Sequence, residues 1–193
     1  MKQLSIIFVL VGLLFLGYGG YQLFKTEAAQ KDSLAEAQAF IEREKSTQET
    51  DQGQQDFYPE KGDAAGILHI PKLEAELPII EGTHEDELEK GVGHYEGTAY
   101  PQQNDQIVLS GHRDTVFRDM GELEMGDILT VEVPYGSFSY EIIDTKIVDA
   151  DDRTIIVPTA PDEVLTLSTC YPFNYVGSAP DRYIITALPV EEN

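Results

Sequence analysis

The strongest constraint on the fold is a series of seven short strand-like runs between residue 64 and the end of the chain. Each run is apolar or alternating and is bounded by Pro, Gly or other turn residues, and only two short helical segments, 85–90 and 118–123, are predicted between them. Short strands at this spacing predict an all-β domain, either a closed or nearly closed barrel or a sandwich. The seven runs are 66–70, 77–80, 106–110, 128–133, 138–150, 164–169 and 182–188.

The amino-terminal 24 residues predict a membrane-spanning helix. Residues 3–24 contain no charged side chain and are bracketed by Lys2 and Lys25. A helix of this length spans about 33 Å, close to the thickness of the hydrocarbon core of a bilayer. A cleaved signal peptide is the alternative, but its apolar region is usually only about 7–15 residues long. We therefore expect residues 1–24 to form a retained single-pass anchor in the cell membrane.

Residues 25–63 predict a stalk and a linker between this anchor and a catalytic domain at 64–193. Residues 26–50 contain no Pro or Gly, and Leu34, Ala37 and Ile41 recur at helical spacing, which indicates a marginal helix. Residues 51–55 are polar and predict a linker. We expect this segment to lift the catalytic domain off the bilayer.

The acidic composition argues against several partners. All 35 Asp and Glu residues follow residue 26, and the chain has only 13 Lys and Arg, which gives a formal net charge of −22. Such a surface repels phosphate backbones, so we expect no nucleic acid partner. The acidic segments 85–89 and 149–152 lack the alternating oxygen ligands of a calcium loop. We therefore predict a solvated helix start at 85–89 and no metal or cofactor.

Three strand ends carry a nucleophile, a proton carrier and a fixed cation. Cys170, the only cysteine, ends the run 164–170, Arg182 opens the next run, and His112 follows the apolar run 107–109. If the last two strands pair antiparallel, Cys170 and Arg182 face each other. A thiol becomes a nucleophile as the thiolate, which such neighbours favour. For each residue alone, a structural role remains open. Cys170 is then a small buried apolar residue, and Arg182 forms a surface ion pair with Asp181 or Glu141.

Two motifs resemble those of sortases, the cysteine transpeptidases of Gram-positive cell surfaces. Residues 166–170, Thr-Leu-Ser-Thr-Cys, followed twelve residues later by Arg182, resemble the sortase signature, and residues 109–113, Leu-Ser-Gly-His-Arg, resemble the histidine motif. The resemblance covers about residues 64–193, and segment 170–183 is most similar to the class D branch. It implies a closed eight-stranded β-barrel with short helices, preceded by a transmembrane helix, with the catalytic domain outside the cell.

The resemblance also implies a reaction. Cys170 would cleave a Leu-Pro-x-Thr-Ala or Leu-Pro-x-Thr-Gly sorting signal after its threonine and form a thioacyl-enzyme. The secreted protein would then be joined to an amine of a peptidoglycan precursor. His112 would exchange protons with the departing and incoming amines, and Arg182 would stabilise the oxyanion or hold the peptide in register.

Four further residues are weaker candidates for substrate binding. In sortases, the connection that corresponds to residues 151–162 forms a wall of the sorting-signal groove, which makes Ile156 and Val157 candidates. Thr169 adjoins the nucleophile and offers a hydroxyl or backbone contact to the substrate. His94, flanked by glycine, is a candidate pocket-wall residue and an alternative proton carrier.

Three other functions remain open at this point. A pilin-polymerising sortase is disfavoured because the Asp-Pro-aromatic lid of that branch is absent and residues 188–193 leave no room for a second membrane segment. A different cysteine acyltransferase or protease on a β-barrel is the second. A non-catalytic, membrane-anchored β-domain that binds an extracellular ligand is the third.

Overall fold

The computed structural model describes residues 2–47, 57–174 and 177–190, in which one long helix precedes a β-barrel. Two short 3-10 turns, Pro71–Leu73 and Met120–Glu122, lie in the connections. The helices are α1 (Lys2–Thr47) and α2 (Glu85–Leu88), and the strands are β1 (Ala64–Ile70), β2 (Ala75–Glu81), β3 (Val92–His94), β4 (Gln106–Gly111), β5 (Ile128–Val133), β6 (Gly136–Asp149), β7 (Val164–Tyr171) and β8 (Asp181–Pro189).

The eight strands form one closed barrel in the order β1-β2-β3-β4-β7-β8-β6-β5. The pairs β2–β3 and β4–β7 are parallel and the others are antiparallel. Closure leaves no sheet edge on which another chain could add a strand. The predicted eight-stranded barrel is confirmed, and the sandwich alternative is wrong.

All seven predicted strand runs are present, and the eighth strand is β3, which the sequence pattern did not reveal. β3 has only three residues, and the middle one is Gly93, a residue type that is depleted in strands. A Cβ on Gly93 would lie 2.4 Å from the carbonyl oxygen of Gly82. Glycine is therefore needed here because β3 runs close to the neighbouring backbone, and the same glycine hides the strand in the sequence.

The barrel interior is filled by alternate residues of the strands. Ile107 and Leu109 of β4 and Leu165 and Leu167 of β7 are at most 1% exposed and belong to one apolar cluster. Because side chains alternate along a strand, the residues between them point away from this cluster. Ser110, Ser168 and Cys170 consequently lie on the outer face of the barrel wall.

The helix α1 combines an apolar anchor-like part with a part that packs on the barrel. It is the one helix in the described residues that is long and apolar enough to cross a membrane, and Leu4 and Phe24 are both well exposed. Ala37 and Ile41 are buried against β1 and β2. The helix predicted over 26–50 is present up to Thr47, while the predicted linker 51–55 lies outside the described residues.

The packing of α1 on the barrel is a contact that the sequence pattern did not predict. Ala37 is 0% and Ile41 is 3% exposed, while the role of residues 25–63 as a stalk stays a prediction. The positions that indicated a marginal helix form an apolar face that is covered by the barrel wall.

Candidate active site

Cys170 and Arg182 face each other across the last strand pair. β7 and β8 are antiparallel, and Cys170 is the direct partner of Arg182 in their register. Opposed residues of antiparallel strands have Cα atoms about 4.5–5.5 Å apart. The thiol and the guanidinium are thus neighbours because of strand pairing.

His112 joins them from the other side of β7. β4 and β7 are parallel, and their last paired residues are Gly111 and Thr169. His112 directly follows Gly111 and Cys170 directly follows Thr169. The two residues therefore lie next to each other at the same end of the barrel. The structure therefore brings all three predicted catalytic residues to one cleft of about 690 Å³, which each of them lines.

The three side chains are accessible and lightly constrained. Cys170 is a half-buried free thiol, and no side-chain hydrogen bond to His112 occurs within residues 2–47, 57–174 and 177–190. Arg182 donates from Nη1 to the carbonyl oxygen of Asp181 at 3.0 Å. Among these same residues, no carboxylate forms a salt bridge with Arg182, so the ion pairs with Asp181 or Glu141 are not formed. The guanidinium retains donors for a substrate.

Thr169 is directed into the protein. It is 2% exposed, and its Oγ1 donates a hydrogen bond to the carbonyl oxygen of Gly111 at 2.7 Å. The hydroxyl hydrogen is therefore used to tie β7 to β4 directly beneath Cys170 and His112. Thr169 also lines the cleft, and its contact with the substrate through the hydroxyl or the backbone stays a prediction.

The structure places His94 outside the cleft and not in its wall, while a role of His94 as an alternative proton carrier stays a prediction that this position does not favour. His94 is 1% exposed, its Nδ1 lies 2.6 Å from Oε2 of Glu81, and its Nε2 lies 2.9 Å from the carbonyl oxygen of Ala99. His94 borders a separate cavity of about 840 Å³. The physical reason is the alternation of side chains, because the next residue, Tyr95, is the one that lines the catalytic cleft.

A buried polar network fixes His94. The Tyr100 hydroxyl donates to the same Glu81 oxygen at 2.5 Å, and the His94 ring stacks on the Tyr100 ring with centroids 4.0 Å apart. Burial, followed by the negative charge of Glu81, raises the pKa of the Tyr100 hydroxyl far above its ordinary value. The phenol stays protonated and remains a donor to the carboxylate.

Of the two apolar wall candidates, the structure places only Ile156 in the cleft, next to Ile155. Val157 is 46% exposed and does not line the cleft, and its backbone N–H donates to Gln106 Oε1 at 2.9 Å. The structure therefore does not place Val157 in the cleft wall where it was expected.

The wall segment is attached to the beginning of β4. Gln106 Nε2 donates to the carbonyl oxygen of Ile155 at 2.8 Å, and Asp105 Oδ1 accepts from the backbone N–H of Thr159 at 2.6 Å. The hydrogen bonds from the backbone of Thr159 and Gln106 hold the pKa of the Asp105 carboxyl below its ordinary value. The strand that ends near His112 thereby also positions one wall of the cleft.

Sequence reasoning missed Arg113, which connects the histidine motif to the loop between Cys170 and Arg182. Its Nη1 donates to the carbonyl oxygen of Pro172 at 3.1 Å, and its Nη2 donates to that of Gly177 at 2.8 Å. One planar guanidinium thus holds both sides of this loop. The only feature of the sequence that could have indicated this role is that Arg113 directly follows His112.

The acidic start of α2 has a local structural role. Glu87 accepts a hydrogen bond from the backbone N–H of His84 at 3.0 Å in a capping box, and Glu85, Asp86 and Glu87 occupy the first turn. Negative charge is favourable at a helix amino terminus. Within the part of the chain that the structure describes, no group of three or more His, Cys, Asp or Glu residues is arranged to hold a metal ion.

Comparison with known proteins gives one consistent family. A model of the sortase domain matches residues 68–190. The chain is 52% identical over 190 residues to sortase D of Bacillus subtilis (strain 168), which covers 95% of this chain and 96% of that relative.

Solved structures agree with this match. The structure of a sortase D5 transpeptidase of Clostridium perfringens matches with a TM-score of 0.71 and 27% identity over 85% of this chain and 99% of that one. A sortase C of Clostridium perfringens, solved with its C-terminal cell wall sorting motif, matches with a TM-score of 0.64 and 26% identity over 83% and 89% of the two chains.

Proposed function

We propose a specific reaction for this chain, which belongs to the sortase family and is a homologue of the class D transpeptidases. It cleaves a C-terminal sorting signal of the Leu-Pro-x-Thr-Ala or Leu-Pro-x-Thr-Gly type after the threonine. It then joins the secreted protein to an amine of a peptidoglycan precursor. The observation that carries this proposal is the convergence of Cys170, His112 and Arg182 on one cleft.

The first half of the reaction forms the thioacyl-enzyme. The Cys170 thiolate attacks the threonine carbonyl carbon, and negative charge develops on the carbonyl oxygen. Arg182 donates hydrogen bonds to this oxyanion, because a guanidinium keeps its protons and presents several donors in one plane. His112, as the imidazolium, gives a proton to the departing amine as the carbon–nitrogen bond breaks and the carbon–sulfur thioester remains.

The second half reverses these roles with a different amine. The acceptor amine attacks the thioester carbonyl, and His112 takes a proton from the attacking nitrogen. The new amide bond forms as the carbon–sulfur bond breaks, and Cys170 is released as the thiolate. The half-buried positions of Cys170 and His112 allow two successive amines to approach from the same side.

The cleft wall supports recognition of an apolar motif. Leu88, Val108 and Ile156 line it together with polar groups near the catalytic residues. An apolar wall suits the leucine and proline of the motif, while Ser110 and Ser168 can hydrogen-bond its backbone. The bound sorting motif in the sortase C of Clostridium perfringens supports the same substrate class here.

The amino-terminal helix supports a location at the cell membrane. The exposed apolar side chains up to Phe24 suit a single span, with the barrel on the extracellular side. The alternative of a non-catalytic binding domain is wrong, because the chain is a sortase and its relatives are named as enzymes.

The test uses the full chain in detergent with two peptides, one ending in each motif type, and a diamino acid as the acceptor. We expect scission after the threonine and a new amide with the acceptor amine, both detected by mass spectrometry. Cys170→Ala is the control and gives neither product. No turnover of either peptide, or cleavage at another bond, would contradict the proposal.

A further inference from the structure

The wall segment of the cleft, residues 151–162, has no regular secondary structure of its own. It belongs to the connection between β6 and β7, and no residue of 150–163 lies in a helix or strand. Its residues Ile155 and Ile156 nevertheless line the cleft. Connections of this length without regular structure are uncommon in compact domains and are often functional. The shape of this wall must therefore come from contacts with other parts of the chain.

The backbone of the wall segment is bound by two side chains from a distant part of the sequence. Residues 157–161 offer only three backbone N–H groups, because two of these five residues are proline. All three groups donate to the side chain of Asp105 or of Gln106, 51 to 55 residues earlier. The donors are Val157, at 2.9 Å from Gln106 Oε1, and Thr159 and Ala160, at 2.6 and 3.2 Å from Asp105 Oδ1.

Gln106 holds the wall on both sides of Ile156. Its Oε1 accepts from the N–H of Val157, and its Nε2 donates to the carbonyl oxygen of Ile155 at 2.8 Å and to Thr166 Oγ1 at 2.9 Å. Gln106 is 6% exposed, so both ends of a buried amide are used. The backbone of the residues that flank Ile156 is thus tied to the start of β4.

These bonds act at the end of the cleft that lies farthest from the catalytic residues. Val108 and His112 both line the cleft, and Gln106 precedes Val108 on the same face of β4 because side chains alternate along a strand. Val108 and His112 are four residues apart, which is about 13 Å along an extended chain. For a substrate whose threonine carbonyl lies at Cys170, the leucine three residues earlier lies about 10 Å away. The leucine is then level with Val108 and with the wall.

We propose that Asp105 and Gln106 are positioning residues that hold the wall segment in place for the leucine of the sorting signal. This inference rests on the proposed function and specifies how that site selects its substrate. Asp105 and Gln106 bind the wall in the free protein, so substrate binding does not have to order it. Loss of their bonds weakens the contact with the leucine and leaves the catalytic residues at the other end of β4 in place.

The test removes the bonds of Asp105 without touching the cleft. Asp105→Ala deletes the acceptor, and Asp105→Asn keeps an oxygen at the same position. Asp162→Ala is the matched control, because it removes an equal charge from an exposed position of the same segment and keeps the backbone oxygen that accepts from Thr159. Each full chain is assayed in detergent on a motif peptide and on the same peptide with alanine in place of its leucine.

With Asp105→Ala we expect KM for the leucine peptide to rise about tenfold with kcat within about twofold, because ground-state binding is lost. The preference for leucine over alanine, measured as the ratio of the two kcat/KM values, falls about fivefold. Asp105→Asn retains most of this preference, and Asp162→Ala retains all of it. A variant that only unfolds in part loses the same fraction of activity on both peptides, so the ratio detects the positioning role.

Ile156→Ala tests whether the effect passes through the wall. In a chain that already carries Ile156→Ala, we expect Asp105→Ala to change the leucine preference by less than about twofold, because the two residues act through one contact. Additive losses from the two substitutions would show that Asp105 acts elsewhere, and would overturn the proposal.

Hydrogen exchange separates failure of this inference from failure of the proposed function, because it needs no substrate. We expect the backbone amides of Thr159 and Ala160 to exchange about tenfold faster in Asp105→Ala than in the unmodified chain or in Asp162→Ala. Unchanged exchange overturns the positioning role, and so does faster exchange with an unchanged leucine preference. Faster exchange in a chain that turns over neither peptide supports the positioning of the wall and contradicts the proposed function instead.

Discussion

Two histidines on adjacent strands show how the same residue type serves different purposes. His94 ends β3 opposite Leu109 of β4, and His112 directly follows β4. His94 is 1% exposed and both of its ring nitrogens have partners, while His112 borders an open cleft. A histidine that exchanges protons with a substrate needs a ring nitrogen that the substrate can reach, and of these two histidines the one that borders the cleft is His112.

The surroundings of His94 indicate a structural role. Its partner Glu81 is only 8% exposed and also accepts the Tyr100 hydroxyl, whose ring packs edge-on against Phe57. Removing one member of a buried hydrogen-bond network leaves its partner desolvated with one hydrogen bond fewer. We therefore expect replacement of His112 to lower activity and replacement of His94 to lower stability.

The largest expected effect is the loss of turnover at the cleft. Cys170→Ala removes the nucleophile and abolishes activity, and His112→Ala lowers kcat/KM by about 10²–10⁴-fold because the amine departs without a proton donor. Both variants keep the free energy of unfolding within about 0.5 kcal/mol. Peptide cleavage and urea unfolding measure the two quantities, and a His112→Ala variant with full activity would remove the assigned role of His112.

Arg182→Lys gives the next largest effect. A lysine keeps the charge but loses the planar set of donors, so we expect kcat to fall by about 10²-fold with an unchanged fold. Steady-state kinetics on the motif peptide provide the measurement. Near-full activity of this variant would show that Arg182 does not stabilise the oxyanion.

His94→Ala has the opposite signature from His112→Ala. We expect the free energy of unfolding to fall by about 1–3 kcal/mol, because the Glu81 carboxyl group is left buried with one hydrogen bond fewer. The folded fraction retains kcat within a few-fold, since His94 lies outside the cleft. Urea unfolding and active-site-normalised kinetics separate these outcomes, and lost activity with intact stability would reverse the assignment of the two histidines.

Arg113→Gln tests whether the loop beside the catalytic residues needs its guanidinium. Arg113 donates to two backbone carbonyl oxygens, one on each side of the loop, and glutamine can donate to only one of them. We expect KM to rise several-fold with a smaller change in kcat. Lys31→Gln, which removes an equal charge from the exposed side of α1, is the matched control, and equal kinetics in both variants would argue against the positioning role.

The smallest effect concerns a third histidine, His69, whose Nε2 lies 2.9 Å from Oε2 of Glu132. The hydrogen bond from Lys45, with a further contribution from His69, holds the pKa of the Glu132 carboxyl below its ordinary value of 4.5. Because the folded pKa is the lower one, the ionised carboxylate stabilises the protein above about pH 4.5, and this contribution disappears as the pH falls through the folded pKa.

The corresponding experiment compares unfolding of Glu132→Gln and the unmodified chain between pH 7 and pH 3. We expect a difference of at most about 1 kcal/mol at pH 7, because the pair is partly exposed, and a smaller difference at pH 3. A difference that grows on acidification would show that the sign of this linkage is wrong.

The sequence predicted the elements better than it predicted the surroundings of single residues. Alternation and Pro or Gly boundaries located seven strands, and the antiparallel pairing of the last two placed Cys170 opposite Arg182. The strand ends and the motif at residues 109–113 favoured His112, but the pattern could not show that His94 is buried, because a three-residue strand is too short to reveal which face its side chains occupy.

Long-range contacts explain most of what was missed. Ala37 is small enough to fit either a solvated stalk or a packed helix, so only the folded chain shows that the barrel covers it. The direction of Val157 depends on a hydrogen bond to Gln106, which lies 51 residues away in the sequence. The contacts of Arg113 likewise cross 59 and 64 residues.

The central claim is that Cys170, activated beside His112 and Arg182, carries the acyl group. The most direct test is the intact mass of the protein after mixing with a motif peptide, followed by peptide mapping of the modified residue. We expect one acyl adduct on Cys170, missing its leaving fragment, slower formation of this adduct with His112→Ala, and none with Cys170→Ala. An adduct on another residue, or turnover that persists in Cys170→Ala, would contradict the account.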